Sequence, residues 1–172
     1  MDECFVKRWY NAVIIKGIVD EDFVNYKVPS MEIIFPYCSF KCDKEAGKSV
    51  CQNSSLAQTK NMEVEVTNIV SRYLCNPITK AVVMCGLEPL DSFEDVKEFI
   101  QTLRKNDCLD DVVIYTGYNE DEVSDRIREL EVYKNIIVKF GRFRYGDKSH
   151  FDSVLGVNLA SDNQYAKKIG TA

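Results

Sequence analysis

The sequence holds a single histidine, His150. That scarcity excludes a metal site built from several imidazoles, and a histidine-dependent catalytic triad would have to rest on that one residue. Long hydrophobic runs are missing as well. No stretch approaches the roughly 18–20 apolar residues of a membrane span, and the N-terminal MDECFVKRWY lacks the pattern of a signal peptide. Positive charge is not in excess: 22 Lys and Arg face 27 Asp and Glu, a net charge of −5. A broad electrostatic surface for nucleic acid is therefore not expected. Repeats, low-complexity tracts and linkers are absent too. With 172 residues, 45% of them hydrophobic, the chain is expected to form one domain around one core.

Cysteine, by contrast, is plentiful, at seven residues. Without a secretion signal, that number points to a reducing compartment, the cytoplasm, where thiols stay free for metal binding or redox chemistry.

The hydrophobic pattern gives an alternating order of elements. NAVIIKGIV (11–19) and MEIIFPY (31–37) read as strands, with the turn-like DEDFVN between them. Val66, Ile69, Val70, Tyr73 and Leu74 fall at helical spacing, and the helix is expected to take in the alternating MEVEVT (62–67) before them. AVVMC (81–85) is a strand. A helix follows, opened by Ser92 and Asp95 as a capping box, with Phe93, Val96, Ile100 and Leu103 as its apolar face. DVVIYT (111–116) is the next strand, Asn119 caps a helix carrying Val123, Ile127 and Leu130, and NIIVKF (135–140) is a further strand. Alternation of this kind implies an α/β fold, a mostly parallel sheet with covering helices. Such a sheet either curls into an open partial (β/α) barrel or stays doubly wound, with the active loops at the carboxyl ends of its strands. The expected form is the open partial barrel.

One loop leaves that edge just after Tyr37. It reads CSFKCDKEAGKSVCQN (38–53), a C-x3-C-x8-C spacing in polar surroundings. Cys4, Cys75 and Cys108 are expected to be small buried hydrophobes. Cys38, Cys42 and Cys51 lie on no apolar face. A structural zinc takes four ligands, and this loop offers three with no histidine nearby. An iron–sulfur cubane is normally held by four thiolates, so three would leave one iron open to a small-molecule ligand. Spacing alone leaves the cluster, zinc and plain thiols all open.

Four features in order carry a resemblance. Cys38, Cys42 and the Cys51-Gln52-Asn53 run resemble the C-x3-C-x2-C loop, followed by a residue and Asn, of the radical S-adenosylmethionine enzymes. CGLEPL (85–90) resembles their Gly-Gly-Glu-Pro motif, with Gly86, Glu88 and Pro89 in place and Leu87 at the second glycine. IYTGY (114–118) and LASDNQ (159–164) are similar to the Tyr-x-Gly-Tyr and Ser-Ser-Asn-Gln segments of the activating proteins of anaerobic ribonucleotide reductase. The resemblance runs from about residue 11 to about residue 168, so the whole chain, 1–172, would be one radical S-adenosylmethionine domain.

The resemblance implies a 4Fe-4S cluster on Cys38, Cys42 and Cys51, with S-adenosylmethionine on the open iron. Reductive cleavage would give methionine and a 5′-deoxyadenosyl radical, which takes hydrogen from a glycine of the partner, anaerobic ribonucleotide reductase. A reductant such as flavodoxin would supply the electron; neither nucleic acid nor membrane is an expected partner. Gly86, Leu87 and Glu88 would present backbone to the methionine amino end, and Asn53 would be a polar group behind the ligands. Thr116 to Tyr118 would lie near the cofactor, or form an ordinary turn around Gly117. Ser161, Asn163 and Gln164 would line the ligand or partner surface, with a helix N-cap as the equal alternative for Ser161. Cys85 would be a buried strand residue, or else a fourth ligand that closes the cluster. The alternatives are a small radical enzyme acting on a small molecule, and a non-catalytic metal-binding module derived from the same fold.

The spacing departs from the family's by six residues within DKEAGKSV, and Val50 stands where the family tends to place an aromatic residue against the adenine. The extra residues are expected to form a tolerated bulge, since closing a slightly longer loop costs about 1 kcal/mol or less. Lys41, Lys44 and Lys48 in and beside it could otherwise meet the partner.

Overall fold

The computed structural model describes residues 12–170; Cys4 and the rest of the N-terminal stretch lie outside the described residues. A six-stranded sheet has the order β10-β7-β6-β5-β3-β2. Its four inner strands, β3 (Ser30–Phe35), β5 (Ala81–Gly86), β6 (Asp111–Tyr115) and β7 (Ile136–Phe140), are parallel. The edge strands β2 (Gly17–Asp22) and β10 (Tyr165–Lys168) are antiparallel to their neighbours. Two small antiparallel ribbons complete the strands: β1 (Ala12–Ile15) with β4 (Met62–Glu65), and β8 (His150–Asp152) with β9 (Val157–Leu159). Among the described residues, no helix is long and apolar enough to cross a membrane.

Strand residues alternate between the two faces. Met31, Ile33 and Phe35 of β3, Val82 and Met84 of β5, Val112 and Ile114 of β6, and Ile136, Val138 and Phe140 of β7 share one cluster with three helices. These are α2 (Val66–Leu74), α3 (Phe93–Lys105) and α4 (Ser124–Leu130). Val96, Phe99, Ile100 and Leu103 of α3 are all but inaccessible, and each such side chain contributes about 1.5–3 kcal/mol by leaving water. The opposite face packs Ala81, Val83, Val113 and Ile137 against Tyr26, Leu155, Leu159 and Ala166. A doubly wound sheet would carry helices on both faces. Here α2, α3 and α4 all lie on one, so that option falls.

Several expectations need correction. NAVIIKGIV is not one strand: it breaks at Lys16, whose N–H donates to Ile34 O at 2.7 Å as the chain passes from the ribbon to the sheet. MEVEVT does not join the helix. Met62–Glu65 is a strand registered against Ala12–Ile15, so its period-2 alternation was the true signal. The turn after β2 starts later than DEDFVN, at Phe23, because Asp22 still pairs with Ser30 while its carboxylate accepts from Val24 N and Asn25 N. Leu74 is 45% exposed, outside the buried stripe of α2. The Ser92–Asp95 capping box does not form. A 3₁₀ turn at Pro89–Ser92 precedes α3, the Ser92 hydroxyl has no partner, and Asp95 accepts from Ile14 N at 3.4 Å instead. Asn119 does open its turn, with its N–H donating to the Glu122 carboxylate at 2.8 Å, but the first turn, Glu120–Val123, is 3₁₀.

Candidate metal and ligand site

A cavity of ≈ 400 Å³ opens at the carboxyl ends of the parallel strands, on the face without α2, α3 and α4, lined by Cys38, Cys42 and Cys51 together with Gly86 to Glu88. The chain reaches it from β3. Tyr37 O accepts from Glu88 N at 2.7 Å, which pins the start of the cysteine loop to the end of β5. Phe40 then takes a left-handed conformation, φ 50°. Its N–H donates to Cys38 Sγ at 3.2 Å, the contact that stabilises a thiolate. A short helix α1 (Lys41–Ala46) follows and ends at Gly47, itself left-handed.

Asp43 Oδ1 accepts from both Val50 N and Cys51 N, each at 2.8 Å. With the loop held in this way, Cys51 lies near enough to Cys42 to raise that thiol, and all three thiols line one cavity. Burial, first of all, raises the Cys38 thiol, and burial together with Cys51 pushes Cys42 up to about 11. Thiols that crowd one another without a cation hold their protons, and metal binding releases them. Among the described residues, no three His, Cys, Asp or Glu side chains are placed to share one metal ion. A cubane makes no such demand, because each thiolate binds a different iron. Three free, soft thiols, one of them receiving a backbone N–H, therefore fit a cluster better than they fit zinc.

Asn53 joins the two motifs, its Nδ2 donating to Gly86 O at 2.7 Å. Gly86 has φ +94°, and a Cβ there would stand 2.6 Å from Ile34 Cγ2. Leu87 is not in the left-handed region, so the backbone makes no demand for glycine at that position. The N–H groups of Leu87 and Glu88 donate to Phe35 O and Tyr37 O, which leaves carbonyl oxygen as what this segment can offer an amino group.

The Glu88 side chain is 4% exposed and organises the edge. It accepts from Leu90 N, from the Thr116 hydroxyl and from Gly117 N. Burial outweighs these three donors and pushes its carboxyl up to about 7. Thr116, Gly117 and Tyr118 all line the cavity, as expected, with the Thr116 hydroxyl donating to Glu88. A carboxyl that holds its proton longer in the folded state than its ordinary 4.5 stabilises fully below that value and loses the contribution as pH rises through about 7. Metal-free wild-type protein should therefore lose about 3 kcal/mol between pH 4.5 and 8 relative to Glu88→Gln. Urea unfolding of the two proteins across that range checks it, and parallel pH profiles would contradict it.

Ser161 and Asn163 lie elsewhere. The Ser161 hydroxyl accepts from Arg144 N at 2.7 Å and donates to Arg144 O, and Asn163 Nδ2 donates to Arg142 O at 3.1 Å. Both hold the segment that leaves β7, and Ser161 caps no helix. Gln164 does line the cavity, its Nε2 donating to Gly141 O. Cys85 also faces it, but its thiol donates to Glu32 Oε1 at 2.6 Å.

Sequence reasoning missed Lys139 and Arg142. Lys139 is 7% exposed, donates to Gly141 O at 2.8 Å and is pushed down to about 8 by burial. A lone lysine inside the apolar run NIIVKF was the available signal. Arg142, 6% exposed, pairs with Glu122 and, at 3.2 Å, with Glu45. Glu45 belongs to the DKEAGKSV stretch, which is no loose bulge: Asp43–Ala46 complete α1, and the stretch folds onto the site through Asp43 and Glu45.

A family model described as a 4Fe-4S single cluster domain matches residues 31–164, a span that includes all three loop cysteines, the Gly86–Glu88 segment and Gln164. No curated protein matches the chain.

Proposed function

Because the chain belongs to the 4Fe-4S single cluster domain family and is thus an iron–sulfur protein, we propose that it is a radical S-adenosylmethionine activating enzyme for anaerobic ribonucleotide reductase. The observation that carries this reading is the shared cavity: three loop thiols and the Gly86–Glu88 strand end face one space, joined through Asn53. Its ≈ 400 Å³ lies within the range of small-molecule sites. Cys38, Cys42 and Cys51 hold the cluster and leave one metal position for the ligand. When bound, a reduced four-iron cluster supplies an electron to the sulfonium of S-adenosylmethionine, which yields methionine and a 5′-deoxyadenosyl radical. Carbonyl groups of the Gly86–Glu88 segment receive the ligand's amino end, and Glu88 keeps that segment against Thr116 and Gly117. We read the sheet as an open partial barrel, with a glycine-bearing loop of the reductase entering between its edge strands β2 and β10. The work belongs to a reducing, cytoplasmic setting with an electron donor such as flavodoxin.

A second reading rests on the inner wall, where Glu32, Cys85 and Lys139 would suit a polar small-molecule substrate. Incubation with the reductase, S-adenosylmethionine and reductant separates the two. A glycyl radical signal on the reductase supports the activase; deoxyadenosine without that signal favours the small-molecule enzyme.

A further inference from the structure

The eight residues between Cys42 and Cys51 pose a physical problem. A free loop of that length would let Cys51 sample many positions, and each ordered residue costs about 1–2 kcal/mol of backbone entropy. We propose that Asp43 is the positioning residue that sets Cys51 for metal, acting as a side-chain shortcut across the loop. The proposal rests on Cys51 being a cluster ligand.

Asp43 directly follows Cys42, and one of its oxygens receives two consecutive amides, Val50 and Cys51, both at 2.8 Å. Along the backbone the second and third cysteines are far apart; through this carboxylate they are adjacent. Two hydrogen bonds from consecutive amides to one oxygen fix both the position and the orientation of the peptide that carries Cys51. The carboxylate is itself fixed. Its helix α1 is anchored at Glu45 to Arg142, a side chain only 7% exposed, and at Lys41 to Glu122 at 3.1 Å. Glu122 binds Arg142 as well. The shortcut is therefore braced against the end of β7 and the turn after β6. The extra residues supply what a two-residue spacer would supply by its shortness.

The test compares Asp43→Ala with Asp43→Asn, which retains an oxygen acceptor in the same place, and with Cys51→Ala. In the metal-free protein, amide exchange at residues 50 and 51 should quicken roughly tenfold in Asp43→Ala, while Asp43→Asn stays within about twofold of wild type. After anaerobic reconstitution, Asp43→Ala should release iron to a chelator roughly tenfold faster, with an altered electron paramagnetic resonance spectrum of the reduced cluster, and Asp43→Asn should restore both. Wild-type iron release and spectrum in Asp43→Ala would overturn the proposal while Cys51→Ala still lost the cluster. Equal losses in Asp43→Ala and Asp43→Asn would overturn it too, since an oxygen acceptor would then not be what matters. Full cluster in Cys51→Ala would instead remove the ligand assignment beneath it.

Discussion

Cys51→Ala is expected to retain no more iron after anaerobic reconstitution than Cys38→Ala or Cys42→Ala, while Cys75→Ala, Cys85→Ala and Cys108→Ala keep the wild-type complement. The division follows from where each thiol points. Cys38, Cys42 and Cys51 line one cavity, with Cys51 near enough to Cys42 to raise its thiol. Cys75 is exposed beyond the end of α2, Cys108 packs against the helix-side core, and the Cys85 thiol is engaged by Glu32. Taking one thiolate from three leaves two ligands for four irons, too few to hold the cluster. Iron and sulfide per chain decide the matter. Full iron in Cys51→Ala would mean the third ligand is misassigned, and loss in Cys85→Ala as well as in the three loop variants would make Cys85 a fourth ligand that closes the cluster.

Gly86→Ala should cost about 3 kcal/mol or more, because left-handed strain and a steric clash add. At φ +94° the new Cβ would sit 2.6 Å from Ile34 Cγ2 and 2.9 Å from Phe35 N, and the backbone nitrogen cannot swing aside. Gly47→Ala is the control. Its φ is +65° with nothing within 4 Å of the new Cβ, so it should cost only about 1 kcal/mol from conformation. Urea midpoints of the metal-free proteins measure the difference. Equal destabilisation by the two variants would show that the tight packing between β5 and β3 does not constrain residue 86.

The parallel core of the sheet was legible because AVVMC, DVVIY and NIIVKF are apolar runs separated by helices with one clear stripe. The side of the sheet taken by those helices was not, since runs buried on both faces carry no alternation. MEVEVT showed its period-2 pattern openly, yet a short strand beside a longer helical pattern loses to it, and its partner Ala12–Ile15 lies some fifty residues earlier. The cysteines and the Gly86–Glu88 segment could be placed at one edge because both follow strand ends. Ser161 and Asn163 could not be told from cavity residues. Their segment is irregular, and only the folded chain shows that they bind Arg142 and Arg144 while Gln164 turns inward. The role of Asp43 was hidden for a similar reason: composition marks DKEAGKSV as polar and flexible, whereas its order comes from contacts with Cys51 and Arg142 made through space.

The central claim is that three thiolates hold a cluster with one metal position open to S-adenosylmethionine. Its most direct test is product analysis of reconstituted protein incubated anaerobically with S-adenosylmethionine and a strong reductant, without any partner. The account predicts 5′-deoxyadenosine and methionine in equal amounts, abolished in Cys51→Ala. A fully loaded, reducible cluster that forms neither product would contradict it.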